Sequence, residues 1–461
     1  MTINALKKRR LTNHLSTFVE HIWSEQGIKK TRELQGNQVK QLMTDYSQFS
    51  SLYKLKPTER VALLVKQGVI TSQEGDLLLK ESALPVNVAD RMIESVVGTH
   101  QLPLGIATNF RINGRDLLVP MAIEEPSVIA AATNAAKLAL PKGFTASSDD
   151  PIMTGQVQVV NVPNVAKAVN QIEGHKVELI TKANATNPIM ITLGGGVKAL
   201  RCRKLTKNML VVDFDVDVRD AMGANTINTM AEAIALDLEK LSNGKVRLRI
   251  ISNLADKRLS RASVEYDKNV IGEEVVDGVV DAYLFAYHDI YRACTHNKGI
   301  MNGIDPIVIA TGNDWRAIEA GAHTYAAITG KYLPLTKWEK TKTGNLRGTI
   351  ELPLALGLVG GATKTHPLAQ IALRILGIKT AQELAQVVAC VGLAQNFAAL
   401  RALSTTGIQT GHMKLHAKNI AVIAGAENDE IEKVAEIIAK QKIVNVDSAK
   451  EALKQVREKA K

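Results

Sequence analysis

The chain is 461 residues long and 46% hydrophobic, enough to bury a sizeable core and to fill two or three domains rather than one. Its net charge of +11 suits a phosphorylated small molecule such as a nucleotide or coenzyme A, while 4% aromatic content and the lack of a nucleic-acid motif count against single-strand binding. Three scattered cysteines, Cys202, Cys294 and Cys390, point to neither a disulfide framework nor a structural zinc site and fit a reducing compartment.

No apolar run is long enough to span a bilayer, and Met1–Arg10 carries basic residues with no apolar stretch behind them, so a soluble cytoplasmic protein is expected. Residues 1–50 are polar and basic, with weak helical spacing of Leu15, Phe18, Val19 and Ile22, and read as an appended helical arm. Helical patterns follow from Lys56 to Leu79 and around Val86–Val97. Asn113-Gly114 is a favoured type I′ pair and predicts a hairpin of Ala107–Ile112 with Asp116–Val119, after which Val128–Leu138 reads as an alanine-rich helix.

From about Thr145 to Lys257 the pattern shifts to shorter strands with one clear helix. Met209–Arg219 alternates, with Val212, Phe214, Val216 and Val218 on one face and Asp213, Asp215, Asp217 and Arg219 on the other, which predicts a half-exposed strand. A helix to Leu241, a stop at Asn243-Gly244 and a second alternating strand, Lys245–Ile251, complete a β-α-β unit, and an antiparallel split-βαβ sheet accounts for it. After Ala282 the chain returns to helices and glycine loops, and from Gly407 it becomes a small, lysine-rich helical tail.

Four segments could carry chemistry. Glu124-Glu125-Pro126-Ser127 sits where the hairpin hands over to a helix, so its carboxylates suit either helix capping or general acid work. Lys298 lies in Thr295–Gly303, a stretch read as a glycine-punctuated loop, with Asp314 shortly beyond; the lysine is a solvated side chain or an oxyanion stabiliser, and Asp314 its partner or the cap of the helix that follows. His412 and His416 are spaced for a shared metal, though no third ligand stands out; the alternative is His412 as a general acid on a mobile C-terminal segment. Asp220-Ala221-Met222-Gly223-Ala224-Asn225 places small residues at a strand-to-helix junction whose amides could face a phosphate, and Gly194-Gly195-Gly196 could belong to the same site or equally be a plain turn.

Taken together, Val119–Ser127, Asp220–Asn225, the Lys298 segment, Gly312–Arg316, Gly357–Pro367 and Gly411-His412-Met413 resemble the soluble, bacterial second class of 3-hydroxy-3-methylglutaryl-coenzyme A reductase, from about Tyr53 to the C-terminus. The resemblance implies an α+β fold: a large, mainly helical substrate-binding domain at 51–145 and 258–406, an inserted ferredoxin-like dinucleotide-binding domain at 146–257, and a C-terminal helical flap at 407–461, after a basic extension at 1–50. It implies two successive hydride transfers from NAD(P)H that convert the thioester to mevalonate and free coenzyme A. Glu125 would then supply a proton during reduction of the aldehyde intermediate, Lys298 would stabilise the oxyanion, Asp314 would tune both through a shared hydrogen-bond network, and His412 would protonate the departing thiolate. Ser127, Arg292, Asn253 and Asn302 match positions that hold the hydroxymethylglutaryl portion, and Lys54 falls where the family has an arginine for coenzyme A phosphates. Asp220, Met222, Gly223, Asn225, Asn187, Gly194 and Gly195 match the cofactor region. No metal is implied, and the partner is a second copy of the chain in a homodimer with the active site between subunits; assembly beyond that dimer is left open.

Two departures stand out. Ser95 replaces the usual Asn in Glu94-Ser95-Val96-Val97-Gly98. Asn187 stands where NADH-specific relatives carry an Asp that accepts from the ribose 2′-hydroxyl and repels a 2′-phosphate, so NADPH is expected with NADH tolerated, and Lys182, Lys198 or Arg201 could supply positive charge. The competing readings are the same enzyme run oxidatively in mevalonate degradation, and a non-catalytic scaffold that binds nucleic acid through the basic arm.

Overall fold

The computed structural model describes residues 44–405, 417–441 and 444–458; most of the basic arm and His412 therefore lie outside the described residues. Two compact units divide between Glu81 and Ser82. The first holds a 3-10 helix, Tyr46–Lys54, then α1 (Pro57–Lys66) and α2 (Ser72–Leu78). The single helical stretch expected over 56–79 is broken because Gly68 takes a positive φ of 70° and Thr71 caps a new helix, its hydroxyl accepting from the Glu74 amide while the Glu74 carboxylate accepts from the Thr71 amide.

In the second unit the strands are β1 (Leu104–Ile112), β2 (Arg115–Ala122), β3 (Phe144–Ser148), β4 (Ile152–Val160), β5 (Gly196–Thr206), β6 (Met209–Asp217), β7 (Lys245–Ile251), β8 (Leu259–Tyr266), β9 (Thr336–Lys340) and β10 (Leu346–Pro353). Between them run α3 (Val128–Leu138), α4 (Val165–Gly174), α5 (Lys176–Asn184), α6 (Pro188–Thr192), α7 (Ala224–Ser242), α8 (Glu273–His288), α9 (Ile290–Ala310) and α10 (Trp315–Ala326). After β10 come α11 (Gly361–Thr365), α12 (Pro367–Leu376), α13 (Ala381–Ser404), α14 (Asp429–Lys440) and α15 (Val446–Glu458).

The predicted hairpin and alanine-rich helix are present as β1-β2 and α3, with Asn113 and Gly114 both at positive φ as a type I′ turn requires. They belong to a six-stranded sheet of order β2-β1-β3-β8-β10-β9, which the mainly helical expectation for the large domain did not include. Strands β3, β9 and β10 are short or interrupted by glycine, and such segments leave little periodic signal. Helix α13 packs on β3, β8 and β10 and against α3, α8 and α9. Among the described residues it is the one helix long and apolar enough to cross a bilayer, and here its Leu384, Val388, Val391, Leu393 and Phe397 are core residues. Where α9 and α13 meet, a Cβ on Gly303 would stand 2.8 Å from the Val391 carbonyl oxygen, and one on Gly392 would stand 2.9 Å from Ile304. The two backbones come this close only because both positions lack a side chain.

The inserted segment forms a four-stranded antiparallel sheet of order β5-β6-β4-β7 with β-α-β-β-α-β connectivity, the expected ferredoxin-like arrangement. Strand β6 is not half-exposed, however: every residue from Leu210 to Asp217 is buried. It is an interior strand, and the side chains of Arg201, Arg203, Lys257 and Arg219 lie over the three aspartates on its polar face. The C-terminal helices 417–423, α14 and α15 form a separate small core around Ala421, Val434, Ile438 and Leu453, matching the helical tail read from the sequence.

Candidate active site

Lys298 is not on a loop. It lies within the 21-residue helix α9, whose N-terminus is capped by the Asp289 carboxylate accepting from the Arg292 amide. Gly299 and Gly303, which suggested a loop, are helix-interior positions, and Gly303 is there for the contact with α13. Helical geometry then places Lys298 and Asn302, four residues apart, on one face.

Across from that face stands Glu125. Lys298 Nζ is 3.0 Å from Glu125 Oε2, and the Asn302 side-chain amide donates to both Glu125 oxygens at 3.2 Å. The capping alternative for Glu125 is thereby set aside. The N-cap of α3 is Ser127, which has a left-handed φ of 72° and makes no side-chain cap, so the carboxylate turns away from the helix and toward the lysine. A positive φ on a non-glycine residue at such a junction is a local cost that the surrounding hairpin and helix must hold in place.

Asp314 takes the structural alternative in this structure. Its carboxylate caps α10, accepting from the Arg316 and Ala317 amides at 3.1 and 3.2 Å, and pairs with the Arg316 guanidinium at 3.1 Å. It makes no bond to Lys298 or Glu125. Arg292 is half-buried in the first turn of α9, and among the described residues its guanidinium has no ion-pair partner; burial pulls its pKa down from the usual arginine value. A partly desolvated cation without a carboxylate suits an incoming anion. Asn253 is exposed, and its side chain makes no hydrogen bond among the described residues. Lys54 ends the 3-10 helix of the first unit with its ammonium 5.8 Å from the Tyr53 ring centre. His412 lies outside the described residues. Ser95 adopts φ 57°, a left-handed conformation that Asn occupies more readily than Ser, which gives a backbone reason for Asn as the usual residue there.

The candidate cofactor segment is built around the start of α7. Its N-cap is Gly223 at φ 105°, no side chain caps it, and its first-turn amides keep their donors available for an anion. Asn187 caps α6 by accepting from the Met190 amide at 3.1 Å and donates to Thr226 Oγ1, in the first turn of α7, at 3.4 Å. The glycine turn is required by packing, since a Cβ on Gly195 would meet the Asp217 carbonyl oxygen at 2.7 Å. Of the cations expected to face a 2′-phosphate, Lys182 is held by Asp237 at 2.6 Å and Arg201 by Asp215 at 2.6 Å. Lys198 and an unforeseen residue, Arg219, instead converge on the Gly194 carbonyl at 3.0 and 3.2 Å, both beside Asp217. Asp220 accepts from the Ala381 amide at 2.8 Å.

Sequence reading also missed Arg258 and Asn313. Arg258 is 4% exposed, and its guanidinium donates to the carbonyls of Ala221, at 3.0 Å, and Leu356. Asn313 accepts from the Gly357 amide at 2.8 Å. A buried arginine carries no mark in the sequence that separates it from an exposed one, although the close-packed glycine at 357 was within a motif already singled out.

Residues 56–417 match the family model described as hydroxymethylglutaryl-coenzyme A reductase. A 3-hydroxy-3-methylglutaryl-coenzyme A reductase of Archaeoglobus fulgidus is 53% identical over 416 residues, which cover 89% of this chain and 95% of that protein. Among solved structures, the class II reductase of Streptococcus pneumoniae bound to NADPH in open conformations is 41% identical with a TM-score of 0.73, covering 87% of this chain and 99% of that one. A second structure of the Streptococcus pneumoniae reductase gives a TM-score of 0.76 at 40% identity, over 88% and 99% of the two chains.

Proposed function

Since the chain belongs to the hydroxymethylglutaryl-coenzyme A reductase family, in its class II form, we propose that Glu125, Lys298 and Asn302 are the reacting centre at which it reduces the thioester to mevalonate and free coenzyme A. The observation that carries this reading is the bond of Lys298 Nζ to Glu125 at 3.0 Å, a cation and a proton carrier on opposite walls of one site.

A nicotinamide cofactor supplies the hydride in each of the two reductions. When negative charge develops on the thioester oxygen, the Lys298 ammonium stabilises it, and the helix position of the lysine means little reorganisation is needed. Collapse of that oxyanion breaks the carbon–sulfur bond, and His412 on the flap gives the leaving thiolate its proton. In the second reduction the aldehyde oxygen becomes an alkoxide beside Lys298, and Glu125, entering this step as the protonated carboxyl held by the Asn302 amide, delivers its proton to make the alcohol and is left as the carboxylate. Asp314 keeps its role of tuning this pair, and the ion pair with Arg316 is the bond it must exchange to do so. Arg292 binds the terminal carboxylate bidentately, with Ser127 and Asn253 about the rest of that group.

The uncapped α7 N-terminus with Gly223 fits a dinucleotide diphosphate, with Asp220, Met222 and Asn225 around it. NADPH is the preferred form: Asn187 offers no repulsion to a 2′-phosphate beside the first turn of α7, and Lys198 and Arg219 add positive charge at Gly194. Physiological direction is reductive, a homodimer completes the site, Lys54 meets coenzyme A phosphates, the division into large, inserted and flap domains follows the bounds given above, and the protein works in the cytoplasm.

The test follows nicotinamide absorbance with hydroxymethylglutaryl-coenzyme A and each cofactor. Failure to oxidise either removes the enzymatic reading, and a strong NADH preference removes the reading of Asn187. Asn187→Asp is expected to lower the NADPH preference by about tenfold or more, since it sets a carboxylate against a phosphate. His412→Gln should suppress thioester turnover far more than reduction of free mevaldehyde, because only the former expels a thiolate; equal losses would remove His412 from that step.

A further inference from the structure

The inserted domain is tied to the large domain by a small set of backbone bonds at the start of the cofactor segment. The Leu358 amide donates to the Asp220 carbonyl at 2.8 Å, and Ala221 pairs with Val359 as an isolated parallel bridge. Gly357 is pressed so closely to this segment that a Cβ there would lie 2.6 Å from the Met222 nitrogen. From one side, Arg258 reaches both strands of the splice, donating to the Ala221 and Leu356 carbonyls. From the other side, Asn313, adjacent to Asp314, accepts from the Gly357 amide at 2.8 Å. The splice thus runs without a gap from the Asp314 loop through Asn313 and Gly357 to Asp220–Met222.

Arg258 is an unusual choice for a purely structural pin. Its guanidinium is buried, it makes no ion pair among the described residues, and burial pushes its pKa down to about 10. Asp220 and Asp217 offset this only through space. Main-chain carbonyls are its direct partners, and five donors in a fixed plane can bridge two of them from different domains as one rigid fork, which a lysine cannot reproduce.

We propose that Arg258, with Asn313 acting through Gly357, is a positioning residue that fixes the register of the Asp220–Asn225 cofactor segment against the Asp314 loop of the large domain. The inference rests on the reading of that segment as the dinucleotide site. Its consequence is selective: loosening the splice shifts the cofactor relative to the carbonyl to be reduced, while the Glu125, Lys298 and Asn302 wall stays on its own helix and hairpin.

The experiment measures steady-state kinetics and nucleotide binding, by quenching of protein fluorescence, on the full chain with Arg258→Lys, Arg258→Met, Asn313→Ala and the Arg258→Lys/Asn313→Ala pair. Both Arg258 variants are expected to raise the KM and Kd for the nicotinamide nucleotide about tenfold, with the KM for hydroxymethylglutaryl-coenzyme A moving less than about twofold. Asn313→Ala produces a smaller change of the same kind, and the double variant falls short of the product of the two singles because both act on one splice. A simple structural role predicts a lower melting temperature with unchanged nucleotide KM in the folded protein, and that result, or strict additivity, overturns the proposal. Should Arg258→Met not fold, Arg258→Lys and Asn313→Ala carry the test. Gly223→Val separates the two readings: if it abolishes nucleotide binding while Arg258→Lys leaves binding normal, only the positioning inference fails, whereas normal binding in both removes the dinucleotide site and the inference with it.

Discussion

The two places where this chain sets carboxylates against cations behave oppositely. On β6, Asp213, Asp215 and Asp217 have side chains between 1% and 8% exposed, and each has both oxygens bonded: Asp215 takes Arg201, Lys257 and Thr154, Asp213 takes Arg203 and Gln156, and Asp217 takes the Arg219 amide and guanidinium. At the proposed reacting centre, Glu125 is 37% exposed and Lys298 61%, with one cation for one carboxylate and an amide to steady it. A buried acid with both oxygens bonded cannot release a partner without a large desolvation penalty, so it serves the fold. An open pair with one contact can exchange that contact for a substrate oxygen at little cost, so it can serve chemistry.

The contrast can be broken from either end. Lys298→Met should lower kcat for thioester reduction by about 10²–10³-fold, the loss expected when one oxyanion donor is removed, with no change in melting temperature. A stability loss of comparable weight would put Lys298 in the same class as the β6 ladder. Glu125→Gln removes the transferable proton but keeps the amide and lysine contacts, so mevaldehyde reduction should fall about 10²-fold or more while substrate KM hardly moves. Asp215→Asn reverses the pattern: the cations Arg201 and Lys257 are left facing a neutral group, folding stability drops by on the order of 1–3 kcal/mol in denaturant titration, and folded enzyme retains its turnover. A large kcat effect with stability intact would contradict the structural assignment.

The smallest expected effect belongs to a pair that lies between these extremes. Asp305 is half-buried beside Glu319, and desolvation followed by that neighbouring carboxyl raises its pKa from 3.8 to about 8. Glu319 is in turn bonded to His323 at 2.6 Å, and His323 to the Tyr332 hydroxyl at 2.6 Å. A folded-state pKa above the unfolded one means the group's contribution to stability is complete below about pH 4 and is lost as pH rises through about 8. Asp305→Asn keeps a donor toward Glu319 without a titration, so its melting temperature should decline less than that of the parent as pH rises from about 5 to about 8. Parallel declines would show that Asp305 does not titrate there.

Much of the inserted domain was legible because its signals are local. The Asn243-Gly244 stop, the α7 helix and the alternation of β7 all reside in consecutive residues. What alternation could not convey was the burial of β6, because Asp213 and Asp217 look solvated until arginines from β5 and the following turn are laid over them. Lys298 shows the converse failure. Gly299 and Gly303 argue for a loop by propensity, and only the packing of α9 on α13, distant in sequence, explains a glycine in a helix. The residues proposed to react are marked by motif order, yet the contact that unites Glu125 with Asn302 spans 177 residues and no local rule points to it. Arg258 and Asn313 were missed for the same reason, since both act through main-chain partners that any residue could present.

The close crossing of α9 and α13 at Gly303 and Gly392 has a consequence for how this protein can vary. Lys298 and Asn302 ride on a helix whose height above the sheet is set by the absence of two methyl groups. A single added carbon at either glycine lifts the whole helix, and the error is delivered undiminished to the lysine about a turn and a half away. The reach of the lysine toward Glu125 is therefore specified by atoms that are missing from the far side of its own helix, so drift in an apolar interior position would be felt first as a change in chemistry.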